Sequence, residues 1–250
     1  MSDLGDRRSS AGTSGSGSTA AQSFYGRWAA LYDALARYTP GIGSLRERAA
    51  AALELESGDT VVEMGCGTGA NLPYLRERVG PEGTVVGVDF TRPVLDRARE
   101  SVAAYDNVHL VRGDAARPPF ANAGDATFGT VDAALDSVDA VLATFVVGML
   151  EDPGAAVRDW CDLLVDGGNV VLVDAASSER AYAAPVNALF RAVVILSTPP
   201  TLRFRYDRDP QATLDRRVDA ARDALRDRSS AIAHETHALG VVRLTGGRID

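Results

Sequence analysis

The sequence predicts a three-layer α/β fold: a seven-stranded, mostly parallel sheet with helices on both faces and an antiparallel pair of strands at the C-terminal end. Three observations lead there. The apolar run Val61-Val62-Glu63-Met64 passes straight into Gly65-Cys66-Gly67-Thr68-Gly69 and then into a helical pattern, a strand, tight turn and helix in succession. Further apolar runs follow at 85–89, 108–115, 139–145 and 163–174, separated by segments with helical spacing, and that alternation is the pattern of parallel βαβ units. Last, residues 230–239 and 241–247 read as two strands joined by a tight turn at Gly240.

The elements can be justified in order. Residues 1–22 are rich in Ser, Gly and Thr and are expected to form a disordered tail, and residues 23–250 a single domain. Residues 24–35 place Trp28, Leu31 and Leu35 at helical spacing; Tyr25 and Tyr32 either join that packing or cover a ligand. With a second helix at 44–55 they make an N-terminal lid over 23–57. The core at 58–176 holds five strands. Within it, residues 122–136 form a stretch rich in Ala, Gly, Thr and Asp, read as a surface insertion.

After Asp174 the chain is expected to build an acceptor side over 177–229. Residues 183–196 are apolar and helical but carry Asn187 and Arg191. They are too short to span a bilayer, so they form a core or lid helix, with peripheral membrane contact as the alternative. Asp209-Pro210 supplies an N-cap and first-turn pair, and Leu214, Val218, Ala221 and Leu225 form one apolar stripe. His234 and His237 fall in the terminal strands, with nothing adjacent in sequence to orient an imidazole as a base.

A glycine turn after a strand lets backbone N–H groups close on a ligand, and two ligand classes fit. Gly65-x-Gly67-x-x-Ala70, with Asp89 following at about 20 residues, satisfies the dinucleotide fingerprint. Glu63 inside the strand and Gly69 in the turn separate the two. That Glu-x-Gly-x-Gly-x-Gly form resembles motif I of the class I S-adenosylmethionine-dependent methyltransferases. The resemblance extends through Val88-Asp89, Gly113-Asp114, the strand at 139–145 and Leu163-Leu164-Val165-Asp166-Gly167-Gly168, where Asp166 stands in place of the usual Pro. The terminal Leu244-Thr245-Gly246-Gly247 and the Tyr32-Asp33 pair are similar to the quinone-biosynthesis C-methyltransferases.

The resemblance implies a Rossmann-like methyltransferase fold, S-adenosyl-L-methionine as cofactor, and a set of site residues. Asp89 would accept from the ribose hydroxyls and Phe90 offer an apolar face to adenine. Asp114 would take the adenine amino group and the Ala115 N–H a ring nitrogen. Gly65, Cys66, Gly67 and Gly69 would surround the methionine portion, with Glu63 balancing its cationic charge and Thr144 and Tyr32 completing the set. The acceptor would be small or lipophilic, a quinone precursor among the options. A nicotinamide-dependent oxidoreductase and a non-catalytic cofactor-binding protein are the alternatives. No catalytic base stands out; Asp33, Tyr32 and His237 are candidates, and no Cys/His metal cluster is evident.

Composition narrows the partners. All 26 basic residues are Arg, Asp outnumbers Glu 24 to 10, and the net charge is −8, a balance that resembles salt-adapted proteins. An acidic surface argues against a nucleic-acid substrate, although Arg203, Arg205 and Arg208 cluster locally. Two cysteines in dissimilar contexts form no disulfide framework, which fits the cytoplasm; Cys66 reads as a small loop residue and Cys161 as core. Arg7-Arg8 lacks the apolar region that an export signal needs, and no transmembrane segment is expected.

Overall fold

The structure, a computed structural model, describes residues 41–119, 137–181, 183–197 and 209–250. The expected tail at 1–22, the helix carrying Tyr25, Trp28 and Tyr32, the insertion at 122–136 and the arginines at 203, 205 and 208 lie outside the described residues.

The chain runs α1 (Ile42–Ala51), β1 (Thr60–Met64), α2 (Leu72–Val79), β2 (Thr84–Asp89), α3 (Arg92–Val102), β3 (Val108–Arg112) and β4 (Val138–Thr144). It continues through a 3-10 turn (Val147–Met149), α4 (Pro153–Cys161), β5 (Leu164–Ala175), α5 (Ala183–Ser197), α6 (Pro210–Arg228), β6 (Ser229–His237) and β7 (Val242–Ile249). The seven strands form one sheet in the order β3-β2-β1-β4-β5-β7-β6. β1 to β5 pair in parallel, and β7 runs antiparallel to both β5 and β6. The strand order reverses between β1 and β4, and in an open α/β sheet that switch point leaves a crevice at the carboxyl ends of the strands.

Strand periodicity sorts the apolar residues into two layers. Val62, Met64, Val141, Val170 and Leu172 face α4 and α6, where Trp160, Val218, Ala221 and Leu225 complete one core. Val61, Leu142, Val171 and Val173 face the other way, onto Leu45 and Ala49 of α1, Leu75 of α2 and Leu95 of α3. Because β1 and β4 are buried on both faces, they read as near-continuous apolar runs, and Glu63 is conspicuous among them. The predicted stripe of α6 is confirmed: Val218, Ala221 and Leu225 are buried and Leu214 packs beside them. Asp209 caps that helix by accepting the Gln211 N–H at 3.0 Å, as Asp152 caps α4 through the Ala155 N–H at 2.9 Å.

Several boundaries differ from expectation. α1 spans Ile42–Ala51 rather than 44–55, because Gly41 adopts a left-handed φ of 86° before the first turn and the chain leaves the helix ahead of Glu54 at φ 52°. β3 stops at Arg112, and Gly113-Asp114 belong to the turn beyond it. The terminal strands are joined by the 3-10 turn Ala238–Gly240, with Leu239 at φ 61°, rather than by Gly240 alone. Of the two histidines, His234 finds a hydrogen-bond partner across the ladder, whereas His237 Nε2 is buried without one. His234 Nδ1 lies 3.0 Å from Thr245 Oγ1 across the ladder, and His237 Nε2 lies 3.2 Å from Glu235. Among the described residues, no helix is long and apolar enough to cross a membrane.

Candidate functional site

A cleft of about 440 Å³ opens at the carboxyl ends of β1, β2 and β4. That volume suits a ligand of drug or cofactor size, for which pockets run roughly 300–1,000 Å³. Its wall is made by the glycine turn, by Asp89, Phe90 and Thr91 after β2, by Asp114, by Thr144 to Val146 after β4, and by Ile42, Leu45, Arg46 and Ala49 of α1. Met149, Leu150 and Val173 extend the apolar side.

The turn itself explains its glycines. Gly65 has φ 69°, and a Cβ there would lie 2.4 Å from Val146 Cγ2, so the backbone packs directly under the segment that follows β4. Gly67 has φ 56° and nothing within 4 Å of where a Cβ would stand, which leaves the cleft open beside its backbone. Its N–H donates to Asp89 Oδ2 at 3.0 Å, and the Cys66 N–H donates to the Val88 carbonyl at 2.9 Å. The turn is thereby tied to β2 by both backbone and side chain.

Three acidic groups bear on the site, and a fourth nearby in sequence does not. Glu63 is 1% exposed; its Oε1 accepts from Asn71 Nδ2 at 2.6 Å and its Oε2 is buried without a partner. Burial pushes its carboxyl up to about 8; the Asn71 hydrogen bond and the charge of Arg46 pull the other way. Asp89 takes the Gly67 N–H on one oxygen and the Thr91 N–H on the other, at 2.8 Å, and its carboxyl is also raised by burial. The Thr91 side chain bonds the same carboxylate, which still leaves an acceptor site for a ligand hydroxyl. Asp114 closes its own turn by accepting the Ala116 N–H at 2.9 Å while lining the cleft. Asp139 is structural: it accepts the Thr60 N–H at 2.7 Å at the opposite end of β1.

The expected residues divide. Glu63, Gly65, Cys66, Gly67, Asp89, Phe90, Asp114 and Thr144 come together on the cleft wall. Gly69 and Ala115 do not. Gly69 donates its N–H to the Cys66 carbonyl and packs against Ala98 of α3, and the Ala115 carbonyl accepts the indole N–H of Trp160 at 2.7 Å. Tyr32 lies outside the described residues. Cys66 and Cys161 are buried free thiols; burial raises both, Cys161 to about 11 and Cys66 well above its ordinary value, so neither presents a thiolate.

Asn71 is a site residue that no sequence signal singled out. Its Nδ2 donates to Glu63 and also to Thr144 Oγ1 at 3.1 Å, spanning the switch point from β1 to β4. The helix expected as part of the lid does form a wall, as α1, and Phe145, not expected at the site, lines it with a φ of 58° that is unusual for a bulky side chain. His237 lies on β6 at the edge of the sheet, with β7 and β5 between it and β4, and it takes no part in the cleft wall. Among the described residues, no group of three or more His, Cys, Asp or Glu is placed to hold a metal.

The donor set fits S-adenosylmethionine. A buried Glu63 carboxyl oxygen without a partner can answer a cationic group, Asp89 keeps an acceptor site for a ribose hydroxyl, and an exposed aromatic face and an open glycine backbone line the same cleft.

Comparison with known proteins agrees with this geometry. Residues 62–170 match a methyltransferase domain family. The chain is 31% identical over 136 residues to an arsenite methyltransferase of Halobacterium salinarum, covering 54% of this chain and 31% of that protein. It is 30% identical over 129 residues to the demethylmenaquinone methyltransferase of Staphylococcus aureus, covering 52% and 48%. The chain thus spans about half the length, or less, of these curated relatives. Among solved structures, a methyltransferase dependent on S-adenosylmethionine from Aquifex aeolicus superposes with a TM-score of 0.50 at 18% identity, covering 82% of this chain and 89% of that one. An O-methyltransferase family protein from Burkholderia thailandensis does so with 0.58 at 16%, covering 94% and 61%. At these identities the structural likeness speaks for the fold.

Proposed function

We infer that this chain, a class I S-adenosylmethionine-dependent methyltransferase in its domain match and fold, transfers a methyl group to a small, lipophilic acceptor. The observation that carries the acceptor class is the asymmetry of the cleft. Most of its polar groups lie on the glycine turn and at the ends of β1 to β4, with Arg46 on α1, while Ile42, Leu45, Phe145, Val146, Met149 and Leu150 form an apolar side. Met149 is 57% exposed, so the apolar side reaches the rim. An apolar wall suits an aromatic or prenylated ring better than a charged acceptor. The relatives named for menaquinone and arsenite chemistry both fit a small acceptor, and the apolar side favours the quinone-like option.

When bound, the cofactor supplies a methyl group that is already electrophilic. What the protein adds is position and exclusion of water. Glu63 and the Gly67 backbone hold the amino acid end, Asp89 holds the ribose, and Phe90 covers the base. The apolar side holds the acceptor in line and keeps water from competing. The buried, unpaired thiols suit a reducing cytoplasm.

Calorimetric titration with S-adenosylmethionine, S-adenosylhomocysteine and NAD, in molar salt to screen the −8 charge, tests the cofactor. Binding of both sulfur compounds without NAD is the expected result; NAD binding alone would return the turn to the dinucleotide class. Transfer of labelled methyl to a panel of quinols, phenols, thiols and arsenite then tests the acceptor, with quinols expected to lead.

A further inference from the structure

β6 is the last strand of the sheet, and no described strand pairs with its outer row of backbone N–H and C=O groups. Seven of its nine residues, Ser230 to Thr236, are exposed. Edge strands of this length are ordinarily protected by a proline, a positive charge or a bulge in mid-strand. β6 has no proline and none of the 26 Lys and Arg residues of the chain, and its irregularity lies at its start, between Ser229 and Ala231. Its single acid, Glu235, is drawn toward α1, where it meets Arg48 at 3.6 Å. The opposite edge, β3, is only five residues long, with Val108 and Val111 buried. The middle of β6 is also thinly covered within the chain. Ile232 and Ala233 stand opposite Gly247 and Gly246, which offer no side chain to pack against, and Ile232 is left 43% exposed.

We propose that β6 is the interface of a reversible homodimer, in which two copies of this chain pair the strand antiparallel about a two-fold axis and join their sheets into one. The strand is complementary to itself. A register centred on Ala233 sets Glu235 opposite the partner's Ala231 and Ile232 opposite the partner's His234, so no acid meets an acid. Elsewhere the net charge of −8 repels a second copy, and a strand with one acid is where two acidic chains can meet. Nine residues at a rise of about 3.3 Å, in a sheet about 10 Å thick, bury roughly 300–400 Å² per partner. That is about half of what a stable complex buries, so the dimer exchanges with monomer. β5 and β6 both run antiparallel to β7 and hence parallel to each other. Antiparallel pairing of β6 therefore points the carboxyl ends of the two parallel sets in opposite directions, and the two clefts open away from each other.

The test is sedimentation of the full chain in molar salt, from about 1 to 200 µM, the range expected of a small interface. A reversible monomer–dimer equilibrium is the expected result. Hydrogen exchange at the two ends of that range locates the contact: the β6 amides that do not face β7 should slow by at least about fivefold in the concentrated sample, in proportion to the dimer. Ile232→Lys places a charge on the strand twice per dimer and should weaken association by about tenfold. Because Ile232 is on the surface and far from the cleft wall, the variant should unfold at the parent's temperature and bind S-adenosylhomocysteine as the parent does. A monomer at every concentration would overturn the proposal. So would a dimer that Ile232→Lys leaves intact with β6 exchange unchanged, which would put the contact elsewhere. Growth beyond the dimer would overturn the closed two-fold pairing. None of these outcomes depends on which cofactor the cleft takes, so the interface and the methyltransferase reading fail separately.

Discussion

The Gly67 N–H donates to Asp89 Oδ2 at 3.0 Å, so the residue with the most open backbone in the glycine turn is held by the acid that ends β2. The same carboxylate takes the Thr91 N–H at 2.8 Å at the start of α3. Asp89 therefore has a structural duty besides any ribose contact. Asp89→Ala is expected to lose S-adenosylhomocysteine binding by at least about 100-fold, the scale of one or two charge-assisted hydrogen bonds, and also to loosen the turn. Asp89→Asn separates the two duties: its Oδ1 can keep one backbone N–H, so thermal unfolding should move little while affinity still falls. Retained affinity in Asp89→Asn would exclude the ribose role.

Gly65 and Gly67 are constrained by different things, and alanine should distinguish them. At Gly65 a Cβ would meet Val146 Cγ2 at 2.4 Å, so Gly65→Ala must shift β1 or the segment after β4 and should cost about 1–3 kcal/mol of stability in urea unfolding. At Gly67 no neighbour stands within 4 Å, and the cost is only that of a positive φ, about 1–2 kcal/mol. Its Cβ instead enters the cleft. Gly67→Ala should therefore bind methylthioadenosine and S-adenosylhomocysteine much more weakly while losing no more stability than its positive φ costs, about 1–2 kcal/mol. The reverse ranking of the two variants would contradict the geometry.

The strands and the glycine turn were legible because burial on both faces leaves long apolar runs, and an acid inside one of them stands out. Glu63 was found that way. Asn71 was not, because asparagine ahead of a helix is the expected cap and nothing in one sequence says that the side chain is turned away. The strain at Phe145 follows from how β4 ends against β5, where the Phe145 N–H reaches the Val173 carbonyl at 2.7 Å, a tertiary fact. Gly69 and Ala115 belonged to the right motifs, but neither lines the cleft: the Gly69 N–H goes to Cys66 and the Ala115 carbonyl to Trp160. Motif membership does not tell a wall residue from the one bracing it.

Burial holds the Glu63 carboxyl at about 8, so near pH 6 it is protonated, with Asn71, Arg46, Asp89 and Cys66 as the polar groups that bear on it. A cationic ligand stabilises the carboxylate, so binding should expel a proton. Affinity for S-adenosylmethionine should then rise with pH from 6 toward 8, by at most about tenfold per unit. It should level off where the ligand's own α-amine begins to lose its proton. Titrations in two buffers of different ionisation enthalpy count the proton directly. Glu63→Gln should bind more weakly and release none; proton uptake by the parent would reverse the sign and refute the assignment.

Asp174 makes a case for stability rather than binding. It sits on β5 facing α6, 3% exposed, beside Arg243 in the ladder register and within the field of Arg222, whose Nε is itself buried without a partner. Arg243 does not neutralise it, being committed to Glu179, Asp219 and the Ser177 carbonyl at 3.0, 3.2 and 2.8 Å. Burial accordingly raises the Asp174 carboxyl from 3.8 to about 8, against the opposing pull of Arg222. Between those values the folded protein holds a proton that the unfolded chain has released. Stability from this group is complete below the unfolded value and is lost as pH rises through 8, at up to about 1.4 kcal/mol per unit within the window. Glu63 acts in the same direction, so the midpoint of thermal unfolding should fall between pH 5 and 9. Asp174→Asn, which mimics the protonated side chain in size, should flatten that decline while leaving S-adenosylhomocysteine affinity unchanged, since Asp174 is not on the cleft wall. An unfolding midpoint that rises toward pH 9 in the parent, or a decline of equal slope in the variant, would show that Arg222 holds Asp174 ionised throughout.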